Sequence, residues 1–441
     1  MNQIALTLSK GVLRESWLEI IFSLFVCALL TSRTGMDVLL IVLGIFLALW
    51  LIVEKRKVPA LPLQFVILAL AAVWFVSIFW AGWMGYGDLS RLGLLTKQMR
   101  SLLVLGAAYC ALVHFSSWEK LWRPALWVIG GISLFALYQH FTGIDLLRAP
   151  ERDFIRAFEA GRYSAIGTFS HYITFAYVQS VAALFLWGGL LFSHLSLPKR
   201  LGLFSLFLIA SFGVLFSYCR GAWIAFAAAT FFLAFLRSRK IFAATLLVAL
   251  LGVGIGLTLS PSLRSRAFQW TEVFDQNREE RGDESVNHRL LVWKASIELF
   301  RQHPVLGIGY ANYGARREHL RSHYPEHNLP DHPHNTYLQM LSDCGIIGFF
   351  VFVLFVSAPL ILGVSHLRRN KEQVLERTLL AGALGGWLFF AIHSFVDEPL
   401  ASSIKAKVTW FCLAVILAAI VRLSRQTGSN LASLPKKQSL F

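Results

Sequence analysis

Twelve apolar stretches, most of them 17 residues or longer, recur near 16–32, 37–53, 62–84, 101–115, 122–142, 171–193, 201–218, 221–236, 241–259, 345–364, 378–395 and 404–421. A helix rises ~1.5 Å per residue, so stretches of this length suit a hydrocarbon core of ~30 Å. Lipid offers backbone N–H and C=O groups no partner, so such stretches form helices rather than open sheets. Only 15% of the residues are charged, where a soluble globular chain carries roughly 25%. The expected fold is an all-α polytopic membrane protein of about twelve transmembrane helices, with one large outer loop that contains short helices.

The charges orient these spans. Lys55-Arg56-Lys57, Lys120 with Arg123, Lys199-Arg200, Arg237 to Lys240 and Arg368 to Arg377 fall on one side, together with both termini. Short loops rich in Lys and Arg stay in the cytoplasm, so both ends are expected inside. Lys10 and Arg14 lead into the first apolar run, and no small-residue cleavage site follows it, so that run is expected to be kept as an anchor. Residues 1–259 then carry spans one to nine with short loops, and 260–334 form the large outer loop. Residues 335–425 carry spans ten to twelve, and 426–441 form a cytoplasmic tail of disordered composition.

The outer segments hold 17 arginines and 4 lysines, against 11 and 9 on the cytoplasmic side. The two residue types serve topology equally, but the planar fork of Arg matches phosphate better. This bias points to a multiply charged phosphate ligand on the outer face, unless the arginines merely solvate a long loop. The five cysteines, Cys27, Cys110, Cys219, Cys344 and Cys412, lie in or beside apolar spans and none pair at metal spacing. Neither a disulfide framework nor a zinc site is expected.

Five outer segments carry candidate chemistry. The run from Ser285 to Pro304 places Leu290, Trp293, Ile297 and Phe300 on one helical stripe, with Arg289 at its edge. Pro304, Gly307 and Gly309 then end that helix. In residues 331–350, Asp331 is a candidate N-cap. His334, Leu338, Leu341 and Gly345 would share the inward face of a helix that continues into the membrane. A helix N-terminus disfavours imidazolium, which leaves His334 neutral and able to accept a proton. Ser217 to Gly221 form an outer turn with Arg220 at headgroup depth. Arg162 and His171 lead into a span, and Asp397 and Glu398 can hold an Arg or orient a His. Plainer readings stand beside these: a surface helix with a snorkelling Arg, a hydrogen-bonded interfacial His, and an interfacial anchor at Arg220.

These pieces together resemble the O-antigen ligase and O-antigen polymerase superfamily of bacterial inner-membrane glycosyltransferases. The resemblance rests on the serine-and-arginine turn from Ser217 to Trp223, and on R-x-x-x-W-K-A followed by H-P-x-x-G-x-G from Arg289 to Gly309. The H-N-x-x-L-x-x-L-x-x-x-G-x-x-G run from His334 to Gly348 completes it. It implies a GT-C-like enzyme that transfers glycan from undecaprenyl-diphosphate-linked O-antigen to a sugar hydroxyl of lipid A–core oligosaccharide, at the periplasmic face and with inversion. Carried over by motif, the general base falls on His334 and the diphosphate-binding arginines on Arg220 and Arg289. Asn335, Arg162, His171 and Asp397 take supporting places. Family members often have Ser directly before the Arg of the turn, whereas Cys219 stands there in this chain.

No cofactor, metal or nucleic acid enters this reading; the partners are the two glycolipids and the membrane lipids. The first outer loop, Ser32 to Asp37, has one carboxylate and lacks an acidic pair, so transfer is expected to be metal-independent, with arginines neutralising the charge. An O-antigen polymerase or a protein O-oligosaccharyltransferase would use the same chemistry on another acceptor. A transporter or lipid flippase fits less well, because the spans lack central charges.

Overall fold

The computed structural model describes residues 15–432 apart from 117, 149–154, 156, 160, 269–283, 317–331 and 370–373. Long helices stand at all twelve apolar stretches. In chain order they begin with α1 (Glu15–Thr31), α2 (Arg33–Val53), α3 (Gln64–Trp83), α4 (Leu92–His114) and α5 (Glu119–Thr142). A small antiparallel pair, β1 (Ala157–Glu159) and β2 (Arg162–Tyr163), precedes α6 (Tyr172–Phe192). Then come α7 (Leu197–Phe216), α8 (Arg220–Arg237), α9 (Arg239–Leu259), and two more polar helices, α10 (Pro261–Phe268) and α11 (Glu284–Gln302). The chain closes with α12 (Thr336–Arg369), α13 (Val374–His393) and α14 (Ser403–Ala432).

Among the described residues, ten of the twelve long helices are long and apolar enough to cross a membrane. The other two are α1, with 17 residues, and α4, whose first half carries Lys97 and Arg100. The chain is a multi-pass membrane protein. The last span ends at Arg425 but its helix runs on to Ala432. Part of the tail expected to be disordered is thus helical, since its polar residues leave the apolar period without breaking the backbone.

Burial ranks the helices. The spans of α6, α13 and α14 are 83%, 78% and 89% buried, so they form the centre of the bundle, whereas α9 has no buried residue. α6 and α13 meet through glycines: a Cβ on Gly188 would lie 2.6 Å from the backbone N of Gly382. In lipid such close backbone contact, rather than hydrophobicity, drives helix association.

α12 is broken. The resemblance-bearing glycine Gly345 adopts φ 65° and ψ −165°, outside any helix, and so cannot continue the face expected to run from His334. The turn after α11 fills the break with its own backbone. Ile308 N–H donates to Ser342 O at 3.0 Å, Gly309 N–H to Asp343 O at 2.8 Å, and Ile346 N–H to Pro304 O at 2.8 Å. The Asp343 carboxylate accepts from Ala311 N–H at 2.9 Å, and Tyr310 stacks on Trp74 of α3. The H-P-x-x-G-x-G segment is therefore a plug that satisfies backbone groups which lipid would leave unpaired. Its glycines are required by contact: at Gly307, with φ +69°, a Cβ would lie 2.3 Å from the carbonyl carbon of Asp343.

Gly307→Ala is accordingly expected to destabilise the protein by more than about 1 kcal/mol, read as a lower thermal midpoint in detergent. Gly252→Ala on α9, where a Cβ meets nothing within 4 Å, is expected to leave that midpoint nearly unchanged. Equal midpoints for the two variants would rule out the plug.

Candidate active site

The turn between α7 and α8 is set by its own polar groups. Ser217 Oγ donates to Val214 O at 2.6 Å and accepts from Cys219 N–H at 3.2 Å, while Tyr218 takes φ 56°. Ser217 is thus buried in the service of the turn, and Arg220 opens α8. Gly221 lets this turn lie against the end of α13, since a Cβ there would be 2.5 Å from Val396 Cγ2 and 3.7 Å from His393 Nε2. Arg266 of α10 reaches over and donates through Nε to Tyr218 O at 3.3 Å.

A small cleft results, with about 30 Å³ of free space. Arg220, Arg266 and Arg289 line it together with Cys219, His393 and Asp397. Two of the arginines expected at the site therefore converge, and Arg266 joins them. Arg289 gets there by a different register from the one expected. The buried face of α11 is Val292, Ala295, Ser296 and Leu299, whereas Leu290 and Ile297 are exposed. Small residues let α11 pack closely on α12, and Arg289 continues that inner face at helical spacing.

Beneath the arginines lies an ionic chain. His393 Nδ1 is 3.4 Å from Asp397 Oδ2, and Lys405 Nζ donates to the same oxygen. Burial pushes the Asp397 carboxyl up, but the charges of Lys405 and then His393 outweigh it and hold the group well below the usual carboxylate range. Glu398 next to it behaves oppositely. Burial first, then the neighbouring Asp343 and Asp397 charges, raise it well above its ordinary value. Burial also pushes the Cys219 thiol up to about 11, which keeps it protonated and unreactive. With one ionised carboxylate facing three guanidinium groups and an ammonium, the cleft favours an anion.

His334 does not itself line this cleft, and its neighbours in sequence tie it to the elements that do. Thr336 N–H donates to Ser394 O at 2.8 Å and Thr336 Oγ1 to Asp397 O at 3.0 Å. Trp293, one turn beyond Arg289 on α11, donates to Pro333 O at 3.1 Å. The histidine is thereby clamped between the helix that carries Arg289 and the loop that carries Asp397. It does not belong to α12 itself. The helix cap is Asn335, whose Oδ1 accepts from Leu338 N–H at 3.1 Å, and His334 precedes it at φ 53°. Asp331, expected as the cap, lies outside the described residues. A left-handed conformation at a residue other than glycine costs roughly 1–3 kcal/mol and is typical of functional positions. The half-buried His334 ring meets His332 edge-on at 4.3 Å, and His332 Nδ1 lies 3.8 Å from Glu398 Oε2.

Three expected supporting residues have other surroundings. Asn335 caps α12, and His171 caps α6 through Nδ1, which accepts from Ile173 N–H at 3.3 Å. Arg162 lies over the Phe141 ring at 5.2 Å and does not line the cleft. Three contributors escaped the sequence. Arg266 sits in no motif, and Lys405 reads as the polar start of a span. His393 falls inside the span expected at 378–395, and only its spacing of four from Asp397 hinted at a pair.

Residues 205–353 match the family model described as O-Antigen ligase. Over those residues the chain is similar to the O-antigen ligase family. The matched stretch runs from α7 into α12 and includes Arg220, Arg266, Arg289 and His334, and the plug that fills the α12 break. A Rickettsia felis protein named "Putative polysaccharide ligase" is 34% identical over 77 residues, a match covering 16% of this chain and 19% of that protein. His393, Asp397 and Lys405 lie beyond the matched stretch and reach the cleft from the end of α13, the loop after it and the start of α14.

Glu398 gives a signed pH test. Its raised value means that the folded state holds a proton which the unfolded chain gives up above about pH 4.5. Stability from this group is therefore complete below that pH and declines as pH rises towards the folded value. Glu398→Gln is expected to flatten the fall in thermal midpoint between about pH 5 and 8. A variant whose midpoint falls as steeply as that of the natural protein would show that Glu398 is not held protonated.

Proposed function

We propose that this protein is an O-antigen ligase of the bacterial inner membrane, with both termini cytoplasmic and its arginine cleft facing the periplasm. The donor is an undecaprenyl-diphosphate-linked O-antigen, and the acceptor is a sugar hydroxyl of lipid A–core oligosaccharide. The observation that carries this reading is the meeting of Arg220, Arg266 and Arg289 in one cleft at the end of a membrane bundle. A prenyl tail stays in lipid while its diphosphate lies at headgroup depth, where guanidinium forks bind it best.

In this reading Arg220 and Arg289 grip the diphosphate, and Arg266 adds a third guanidinium. His334 takes the proton of the acceptor hydroxyl, and that oxygen attacks the anomeric carbon from the face opposite the diphosphate. The bond to the diphosphate breaks with inversion, and the arginines stabilise the charge that gathers on the leaving group. Asp397, fixed by Lys405 and His393, holds the loop on which the His334 segment hangs. The cleft as it stands has room for about one water molecule, so donor binding must widen it. The guanidinium groups supply the positive charge that a divalent ion provides elsewhere, and transfer should proceed in chelator.

The test is ligation with purified protein, lipid-linked glycan and lipid A–core in detergent containing chelator. His334→Ala is expected to lower the rate by about 10²–10⁴-fold, and Arg220→Ala or Arg289→Ala by about 10²–10³-fold. Lys at either arginine position should recover only part of the loss, because it lacks the fork. Near-normal transfer by His334→Ala would remove it as the base and leave His393, whose ring lines the cleft, to be tried by the same substitution. Elongation of the lipid-linked glycan, with none reaching lipid A–core, would mean a polymerase.

A further inference from the structure

A second cavity lies at the other end of the bundle. α6 begins at the arginine cleft, which Tyr172 and Ile173 line, and its opposite end, at Gly189 and Ser193, lines a cavity of about 610 Å³. The 21 residues of α6 put about 30 Å between its two ends. The cavity is an apolar shaft between helices, partly open along its side. Leu29, Ile129, Val181, Leu203 and Phe411 wall it. From Glu119 to Ile129 on α5 it climbs about 15 Å at ~1.5 Å per residue, the depth of one leaflet of a ~30 Å hydrocarbon core.

Its mouth is chemically different. Arg123 and Lys199 stand there with Glu119, at the first turns of α5 and α7. Arg123 pairs with Glu119 at 3.1 Å, but both side chains are well exposed, and such surface pairs hold weakly. Trp122 also lines the mouth, and its indole N–H is buried without an acceptor among the described residues. Buried donors are normally satisfied, and an indole can only donate.

We propose that this shaft is a binding site for one anionic glycerophospholipid of the leaflet opposite the arginine cleft. An acyl chain fills the apolar shaft, the phosphate lies between Arg123 and Lys199, and a glycerol ester carbonyl accepts from Trp122. A prenyl phosphate would meet the same cations but has no ester carbonyl for the indole. The site is separate from the transfer chemistry and holds α1, α5, α6 and α7 together from within.

Native mass spectrometry of detergent-purified protein titrated with phosphatidylglycerol tests this, with thermal melting alongside. The natural protein is expected to retain one phosphatidylglycerol through a delipidating wash and to melt higher when it is added. Gly202→Trp plugs the shaft from a position where a Cβ meets nothing within 4 Å, and should weaken retention at least tenfold and abolish the melting shift. Lys199→Glu, at an exposed position, should weaken phosphatidylglycerol about tenfold while sparing phosphatidylcholine, and it serves as the test should the plugged variant not fold. Retention unchanged in the folded variants, no retained lipid in the natural protein, or a prenyl phosphate in place of a glycerophospholipid would each overturn the proposal.

Discussion

Backbone polar groups inside a bilayer have only each other to bond with, and most of the architecture around the arginine cleft answers to that restriction. α12 stops being a helix at Gly345, and the groups freed there would be orphaned in hydrocarbon. The segment Pro304 to Gly309 supplies the missing donors and acceptors from outside the helix. This bond between a loop and a broken span fixes where α11 can go. The position of α11 in turn sets Arg289 against Arg220, and Trp293 against the carbonyl of Pro333.

The charges near the cleft follow from the same shortage of partners. Asp397 and Lys405 are both nearly buried, and neither would be tolerated there alone. Together with His393 they make a rigid, almost neutral base beneath a surplus of guanidinium. Lys407, two residues along on another face of α14, is buried and pairs with the exposed Asp37. The arginines themselves line the free space. Asp397 and Lys405 thus serve structure as a buried pair, and the arginines gather where the bundle opens.

Much of this was legible in residue order. Apolar length placed the twelve long helices, because length against bilayer thickness leaves few alternatives. Arg220 and Arg289 could be named from their motifs. Three-dimensional closeness was harder to read. The inner face of α11 is made of Ala295 and Ser296 rather than the larger residues that a hydrophobic pattern selects, since close helix contact rewards small side chains. The left-handed His334 and the helix break at Gly345 arise from contacts with distant loops, which no local period encodes. Arg266 and Lys405 gain their meaning only once α10 reaches the turn before α8 and α14 reaches the loop that carries Asp397.

α9 leaves a last consequence for how the cleft can respond to a bulky ligand. No residue of that helix is buried, yet it leads directly into α10 and Arg266. Lipid tails replace its few neighbours at almost no cost, because between apolar helices and apolar lipid there is no hydrophobic penalty to overcome. One wall of the cleft therefore hangs from the most loosely moored strut of the frame, whereas Arg220 and Asp397 belong to its rigid keel. Widening can proceed by swinging α9 and α10 sideways through fluid lipid, while the buried bundle of α6, α13 and α14 stays as it is.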